Sequence, residues 1–379
     1  MERETTRCDS SNSGQRKVRR LLITGAAGFI GSNFVYYWRN RHQSDEIIAL
    51  DDLTYAGNKA NLLTLINGGS IQFVKGSICN FDLVRDLVIE NSINTIVHFA
   101  AESHVDRSIE SPDQFIQTNV IGTHTLLKVA RAAWLGEDGQ KEHLFHHVST
   151  DEVFGSLNDF DDAFTEQTSY APNSPYAASK AASDHLVRAY HKTYGLNVTS
   201  SNCSNNYGPF QFPEKLIPLC LLNVLIGKPL PIYGDGRQTR DWLYVEDHCR
   251  AIELIIDEGQ YGDSYNVGGN NELANIDVIK SLCEILNQKF SSNPELQKQY
   301  PNSPCSNNRP AESLINFVED RLGHDRRYAI DARKISKELE FVPIESFGTG
   351  LNKTVDWYIN NRHWWMAILD GTYRNKNLV

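Results

Sequence analysis

The sequence predicts an α/β fold: a doubly wound parallel sheet with a smaller mixed α/β lobe toward the C-terminus. Three observations predict it. Short apolar runs alternate with longer amphipathic ones up to about residue 207, the pattern of a parallel sheet wrapped by helices. A glycine-spaced turn joins the first apolar run to the first amphipathic one. After residue 207 the alternation gives way to Pro-, Gly-, Tyr- and Trp-rich segments such as Pro229–Trp242.

The runs expected as strands are Val18–Thr24, Glu46–Asp51, Ile71–Lys75, Asn94–Ala100, Leu144–Ser149 and Asn197–Asn202, with a later one at Ser264–Val267. Helices are expected over Phe29–Arg41, Phe81–Glu90, Pro112–Trp134, Pro175–Tyr194 and Lys215–Ile226. The helix at 175 is the best bounded: Asn173 or Ser174 can cap it, Pro175 suits its first turn, and Gly195 follows its end. Residues 18–207 are expected to form one domain, with the strand near 264–267 returning to it. Residues 208–379 form most of a second, interleaved lobe. The stretch Gln288–Ala311 is polar and rich in Ser, Asn and Pro, and reads as a loop or lid.

Composition bounds the function. The chain has 379 residues, 22% of them charged, and a net charge of −10. That balance argues against nucleic acid as a partner, which needs clustered excess Lys and Arg. No apolar run approaches the roughly 18 residues that would span a membrane. The first residues, through Arg20, are polar and lack the apolar core of a signal peptide, so 1–17 reads as a disordered tail. Seven scattered cysteines without a Cys-x-x-Cys fit free thiols in a reducing cytoplasm and no metal site.

The turn Gly25-Ala-Ala-Gly28-Phe-Ile-Gly31 spaces three glycines at the junction of a strand and a helix. There they permit a tight turn, backbone approach to a pyrophosphate and close helix–strand packing, with the helix N-terminus facing the phosphates. Asp51 follows Gly31 by 20 residues, at the end of the second strand. An acid there meets the adenosine ribose and disfavours a 2′-phosphate, so a Rossmann-like NAD site is expected rather than one for NADP.

Tyr176 and Lys180 lie four apart on one helix face. A Lys cation and a nicotinamide charge would favour a tyrosinate base; an interfacial Tyr beside a solvated Lys would show the same spacing. A second Tyr-x-x-x-Lys, at Tyr55 and Lys59, falls in a loop where the spacing carries little. Thr150 precedes Tyr176 by 26 residues, at a strand end, and two acids, Asp151 and Glu152, follow it. Adjacent carboxylates are common as surface caps. After a buried strand and ahead of Tyr176 they suit acid–base work, which a plain dehydrogenase does not need.

Together with Ala100–Ser108 (Ala-Ala-Glu-Ser-His-Val-Asp-Arg-Ser), Thr118–Thr123, Ser149–Gly155, Asn202–Pro209 and Gly323–Tyr328, these features resemble the extended short-chain dehydrogenase/reductase superfamily. Within it the resemblance is to the dTDP-glucose 4,6-dehydratase family, over about residues 18–365. The resemblance implies that Gly25, Gly28, Phe29, Ile30 and Gly31 hold the pyrophosphate and Asp51, Asp52, Leu53 and Thr54 the ribose. It also places Ser77, Ile78, Phe99, Ala100 and Ala101 in the cofactor cradle. On the nicotinamide side it implies Ser103, Thr118, Tyr176, Lys180 and Asn206. For the substrate it points to Ser103, Thr150, Asn205, Lys215, Leu216, Pro231, Ile232, Tyr233, Arg240, Asn275, Arg321 and His324. The cations would meet a diphosphate, and Tyr233 a pyrimidine face. Asn275 would equally serve as a helix cap.

Three positions depart from the family pattern: Ser77 stands where an Asp near the adenine is usual, Leu322 where a Pro is, and Phe154 where a Tyr is. The implied chemistry is dehydration of a nucleoside diphosphate glucose, foremost dTDP-glucose, through transient oxidation by tightly bound NAD. Thr150, Asp151, Glu152, Tyr176 and Lys180 are its expected catalytic residues. A nucleotide-sugar 4-epimerase or decarboxylase, and a non-catalytic NAD-binding regulator, are the competing expectations. A homodimer is implied by resemblance, through the helices Pro112–Trp134 and Pro175–Tyr194.

Overall fold

The computed structural model describes residues 17–136, 141–320 and 324–376. The expected tail, apart from Lys17, and the candidate Arg321 lie outside them. Twelve strands are described: β1 Arg20–Thr24, β2 Glu46–Asp51, β3 Gln72–Lys75, β4 Thr95–His98, β5 Leu144–Thr150, β6 Val198–Cys203, β7 Asn205–Tyr207, β8 Leu230–Tyr233, β9 Thr239–Tyr244, β10 Ser264–Val267, β11 Glu272–Ala274 and β12 Ile315–Val318.

Seven of these form one parallel sheet in the order β10-β6-β5-β4-β1-β2-β3. The order reverses between β1 and β4, the point at which doubly wound sheets open a crevice beyond their strand ends. β10 pairs with β6 in register Ser264↔Ser200, so the strand near 264 does return to the first sheet. β11-β9-β7 and β12-β8 make two small sheets beside it.

Strand periodicity builds a core on each face. Leu22, Ile48, Ile96 and Phe145 face the helices Phe81–Glu90, Thr123–Trp134 and Pro175–Tyr194. Leu21, Ile23, Ile47, Ala49 and Val97 face Phe29–Arg41 and Val245–Glu258. Both faces are covered, which is why these strands read as continuous apolar runs. A third core gathers residues beyond 207, among them Ile217, Leu221, Trp242, Leu282, Phe290, Val355 and Trp365.

The predicted helices Phe29–Arg41, Phe81–Glu90 and Pro175–Tyr194 have the expected limits, and Lys215 is the cap of Leu216–Ile226. Ser174, not Asn173, caps the helix at 175, accepting from the Ala177 amide at 3.1 Å, and Gly195 closes it in the left-handed conformation. Two expectations are corrected. The helix read as continuous over Pro112–Trp134 widens to a π-helix over Ile116–Gly122, an insertion that periodicity alone does not reveal.

Gln288–Ala311 is not a loop or lid. It carries the end of the helix Asn275–Ser292, the helix Pro294–Gln299 and a 3₁₀ turn Pro304–Asn307. Its Ser, Asn and Pro residues are helix boundaries: Asn293 caps, Pro294 and Pro304 open turns, and Asn308 closes one at positive φ. Phe290, Leu296, Tyr300 and Ala311 anchor it in the third core, spaced too widely to read as a pattern. Among the described residues no helix is long and apolar enough to cross a membrane.

Candidate active site

One cavity opens at the reversal of strand order, lined by the β1 turn, the ends of β2, β4 and β5, and the segments 54–57, 203–206 and 211–215. The turn follows from its glycines. Gly25 has φ +68, and a Cβ there would lie 2.6 Å from the Ala100 nitrogen. A Cβ on Gly31 would lie 2.1 Å from the Gly25 carbonyl oxygen, so only glycine lets the helix close on the turn.

Gly28 caps that helix with no side chain, so the first amides of Phe29–Arg41 are left for a ligand. At the end of β2, Asp51 accepts from the amides of Ala27 (2.9 Å) and Leu53 (2.8 Å). Burial raises its carboxyl to about 6, against those amides, so it is an anion at neutral pH. Uncapped amides to donate to a diphosphate, and an acid at the neighbouring strand end to accept from a ribose, are the groups a dinucleotide needs, so these residues fit NAD.

Opposite lies the acidic turn. Thr150 ends β5 and caps the 3₁₀ turn Asp151–Phe154, its Oγ1 accepting from the Glu152 amide at 3.3 Å. Asp151 is 2% exposed, which rules out a surface capping pair. Its Oδ1 accepts from the Thr150 hydroxyl at 3.3 Å, and its Oδ2 is buried with no hydrogen-bond partner among the described residues. Burial, then the Glu152 and Asp241 charges, push the Asp151 carboxyl up to about 8, so it is a protonated acid at neutral pH.

Tyr176 and Lys180 are buried on the helix facing β5. Lys180 donates to the Val148 carbonyl at 2.8 Å. In the protein itself burial, then the Glu152 charge, push the Tyr176 hydroxyl well above its ordinary range, while a hydrogen bond with Thr150 acts the other way. The interfacial Tyr beside a solvated Lys is therefore not what forms. A tyrosinate here needs a nearby cation.

The expected residues divide into two groups. All five catalytic candidates line the cavity, as do Gly25, Gly28, Phe29, Ile30, Gly31, Asp51, Asp52, Thr54, Ser77, Ile78, Phe99, Ala100, Ala101, Ser103, Thr118, Asn205, Asn206 and Lys215. Thr118 reaches it from the π-helix. Asn206 is held between the Ser204 carbonyl and His248. The Ser77 hydroxyl accepts from the Cys79 amide at 3.3 Å.

Leu53, Leu216, Pro231, Ile232, Tyr233, Arg240, Asn275 and His324 do not line it. Leu53 turns at φ 54, and Ile232 is packed in the third core. The rings of Tyr233 and His324 meet edge-on at 6.5 Å, and His324 pairs with Asp320 at 2.6 Å. Asn275 does not cap; it is the first residue of its helix, its amide on the Gln238 carbonyl. Arg240 donates to the carbonyls of Thr239, Asp325 and Arg326 and lies 4.3 Å over the Tyr328 ring. Its field nonetheless reaches Asp151, which it acts to lower.

Sequence reasoning missed Tyr55, Glu102, Gln211, Phe212 and Glu214, which also line the cavity. Tyr55 belongs to the second Tyr-x-x-x-Lys, whose spacing carries little in a loop. Its ring carries Arg107 at 3.9 Å and meets Phe212 edge-on at 5.8 Å. Among the described residues His42, Glu253 and Asp257 could approach a metal, but Glu253 already pairs with Arg41 and Asp257 with Arg19.

The sheet and its cavity define a dinucleotide-binding type of α/β protein, and comparison with known proteins sharpens that class. The family model described as GDP-mannose 4,6 dehydratase matches residues 22–354. The dTDP-glucose 4,6-dehydratase of Escherichia coli is 49% identical over 369 residues, 95% of this chain and 99% of that one. That of Xanthomonas campestris pv. campestris is 52% identical over 355 residues, 93% and 97% of the two chains. A solved dTDP-glucose 4,6-dehydratase of Streptomyces venezuelae, with NAD bound, superposes with a TM-score of 0.81 at 45% identity, covering 92% of this chain and 99% of that one. The chain belongs to the dTDP-glucose 4,6-dehydratase family.

Proposed function

We propose the following division of labour for an NAD-dependent hydro-lyase that converts dTDP-glucose to its 4-keto-6-deoxy sugar. The observation that carries it is the meeting, in one buried cavity, of a protonated Asp151 with Glu152, Thr150, Tyr176 and Lys180, beside a turn built for a dinucleotide. Gly25, Gly28, Phe29, Ile30 and Gly31 would hold the diphosphate of NAD and Asp51 its ribose. When bound there, NAD would supply a hydride acceptor for C4 and a hydride source for C6, so the reaction would be redox-neutral overall.

Tyr176, assisted by Lys180, takes the O4 proton, and Thr150 hydrogen-bonds the same oxygen. The C4 ketone makes the C5 proton acidic, and Glu152 removes it. Asp151 protonates the departing C6 hydroxyl, which leaves as water; Glu152 then returns its proton to C5. Two carboxyls with opposite duties need opposite protonation, and the buried Asp151 beside an acidic neighbour meets that need.

Arg240, Tyr233, Asn275, Arg321 and His324 extend this reading to the nucleotide half of the substrate. The Tyr233–His324–Asp320 group and the Arg240 field on Asp151 support it. We place the protein in the cytoplasm, in keeping with six free cysteines among the described residues, and as a homodimer.

The test is to incubate the purified protein with dTDP-glucose and, separately, UDP-glucose. The expected product is lighter by one water, forms faster from dTDP-glucose, and leaves no lasting NADH absorbance. An unchanged mass would mean epimerisation. NADH rising with product would mean a net-redox dehydrogenase. Retained NAD with no turnover would mean a binding protein.

A further inference from the structure

Three titratable side chains succeed one another at four-residue intervals along the buried face of the helix Pro175–Tyr194: Tyr176, Lys180 and Asp184. The first two line the cavity and the third does not. Asp184 is only 8% exposed, yet its carboxylate collects four donors from three elements. From β5 come His147 Nε2 (3.0 Å) and Ser149 Oγ (2.8 Å), from the segment before the helix Tyr170 OH (2.9 Å), and from β6 Asn202 Nδ2 (3.4 Å).

Of the four only His147 can carry a positive charge. Burial, then the Lys180 charge, hold His147 below its ordinary range, and its Nδ1 has no hydrogen-bond partner among the described residues, as fits a neutral ring donating from Nε2. Burial acts to raise the Asp184 carboxyl, but the His147 hydrogen bond and the neighbouring charges outweigh it, so Asp184 is ionised. Lys180 in turn is 4% exposed and has a carbonyl, that of Val148, as its hydrogen-bond acceptor. A carbonyl satisfies an ammonium's hydrogen but does not balance its charge.

We propose that Asp184 is a positioning residue for the reaction: its buried negative charge keeps Lys180 an ammonium, and through Lys180 it readies Tyr176 to take the O4 proton. The inference rests on the roles read above for Tyr176 and Lys180. Burial pulls the Lys180 amine down, and Asp184, then Cys203 on β6, act against it. The other groups facing this row are His98 on β4 and His147 on β5, both held below their ordinary range by burial first, and Tyr170, which burial keeps un-ionised. Asp151 and Glu152 bear on Tyr176 instead, and push it the unhelpful way.

The test is the pH dependence of kcat/KM for dTDP-glucose with the NAD-loaded enzyme. Without the Asp184 charge Lys180 sheds its proton more readily and Tyr176 holds its own more tightly. Asp184→Asn is therefore expected to move the acidic limb up by about one pH unit, lowering kcat/KM at neutral pH about tenfold with KM little changed. Asp184→Glu, which keeps the charge, is expected to restore the wild-type limb. In a Lys180→Arg background, where the cation cannot be lost, Asp184→Asn is expected to leave the limb in place. Should Asp184→Asn fail to fold, Asp184→Ser removes the same charge with a smaller side chain. A limb that stays put in the charge-removing variant, whatever the rate, overturns the inference. If Lys180→Met moves the limb and Asp184→Asn does not, Asp184 alone is misassigned. If neither moves it, the reading of Tyr176 and Lys180 fails as well.

Discussion

Asp151 and Glu152 are neighbours in sequence, and the separate duties proposed for them follow from their settings: Asp151 is buried at the start of the 3₁₀ turn and Glu152 is only half-buried. Their variants should fail differently. Asp151→Asn is expected to slow C6–O cleavage by about 10²–10⁴-fold while C5 still exchanges its proton with solvent. Glu152→Gln is expected to lose that exchange together with product; deuterium uptake followed by NMR separates the two. The Asp151 proton also couples to folding. Its carboxyl titrates near 8 in the fold, against about 3.9 in an unfolded chain, so the folded state holds a proton that the unfolded state releases between those values. Stability is then greatest at the acidic end of that window and lost as pH rises toward 8. Calorimetry from pH 5 to 8 is expected to show a melting temperature that falls less steeply for Asp151→Asn than for the parent. At this scale the sequence was informative about residue type and silent about protonation, because burial and neighbouring charge are not written in the local pattern.

The glycine turn shows how an element imposes its needs on a sequence. Gly31→Ala would set a methyl 2.1 Å from the Gly25 carbonyl, a contact with backbone that no rotamer relieves. The expected result is a protein purified with little NAD and a melting temperature lowered by several degrees, read from absorbance of the released cofactor and from calorimetry. Strand and helix limits here were legible because apolar period and caps agree at Phe29–Arg41, Phe81–Glu90 and Pro175–Tyr194. They misled at 288–311, where the same cap residues bound helices too short to show a period. They were blind to the π-helix over Ile116–Gly122, whose single extra residue per turn leaves the apolar pattern nearly intact.

Across the whole molecule, distant chain segments close the cavity. Asn61 donates to the Ala27 carbonyl of the glycine turn at 2.9 Å, and its Oδ1 accepts from Trp364 Nε1 at 2.7 Å. Tyr373 OH donates to the Tyr55 carbonyl at 2.6 Å, so the C-terminal helices hold the 55–61 segment in place. Trp364→Phe keeps the ring and removes the donor, leaving a buried acceptor unpaired. It is expected to cost about 1–3 kcal/mol and to loosen NAD retention, measured by denaturant unfolding and by cofactor content. Ile116 and Ile121 are 47% and 42% exposed on one of the two helices read as the dimer face. The double change to Glu is expected to yield monomers in sedimentation, with the parent a dimer. By itself the sequence determined the doubly wound sheet and the dinucleotide turn, and it singled out Thr150, Asp151, Glu152, Tyr176 and Lys180, which line one cavity, because period, glycine spacing and strand-end position are local properties. Only the tertiary structure decided that Tyr55, Gln211 and Glu214 share the cavity, that Arg240 is held on three carbonyls, and that Asp184 sits in a cage of four donors from the strands and the segment around its helix. Those contacts join residues far apart in the chain, and a pattern read along one strand or helix carries no record of what packs across it.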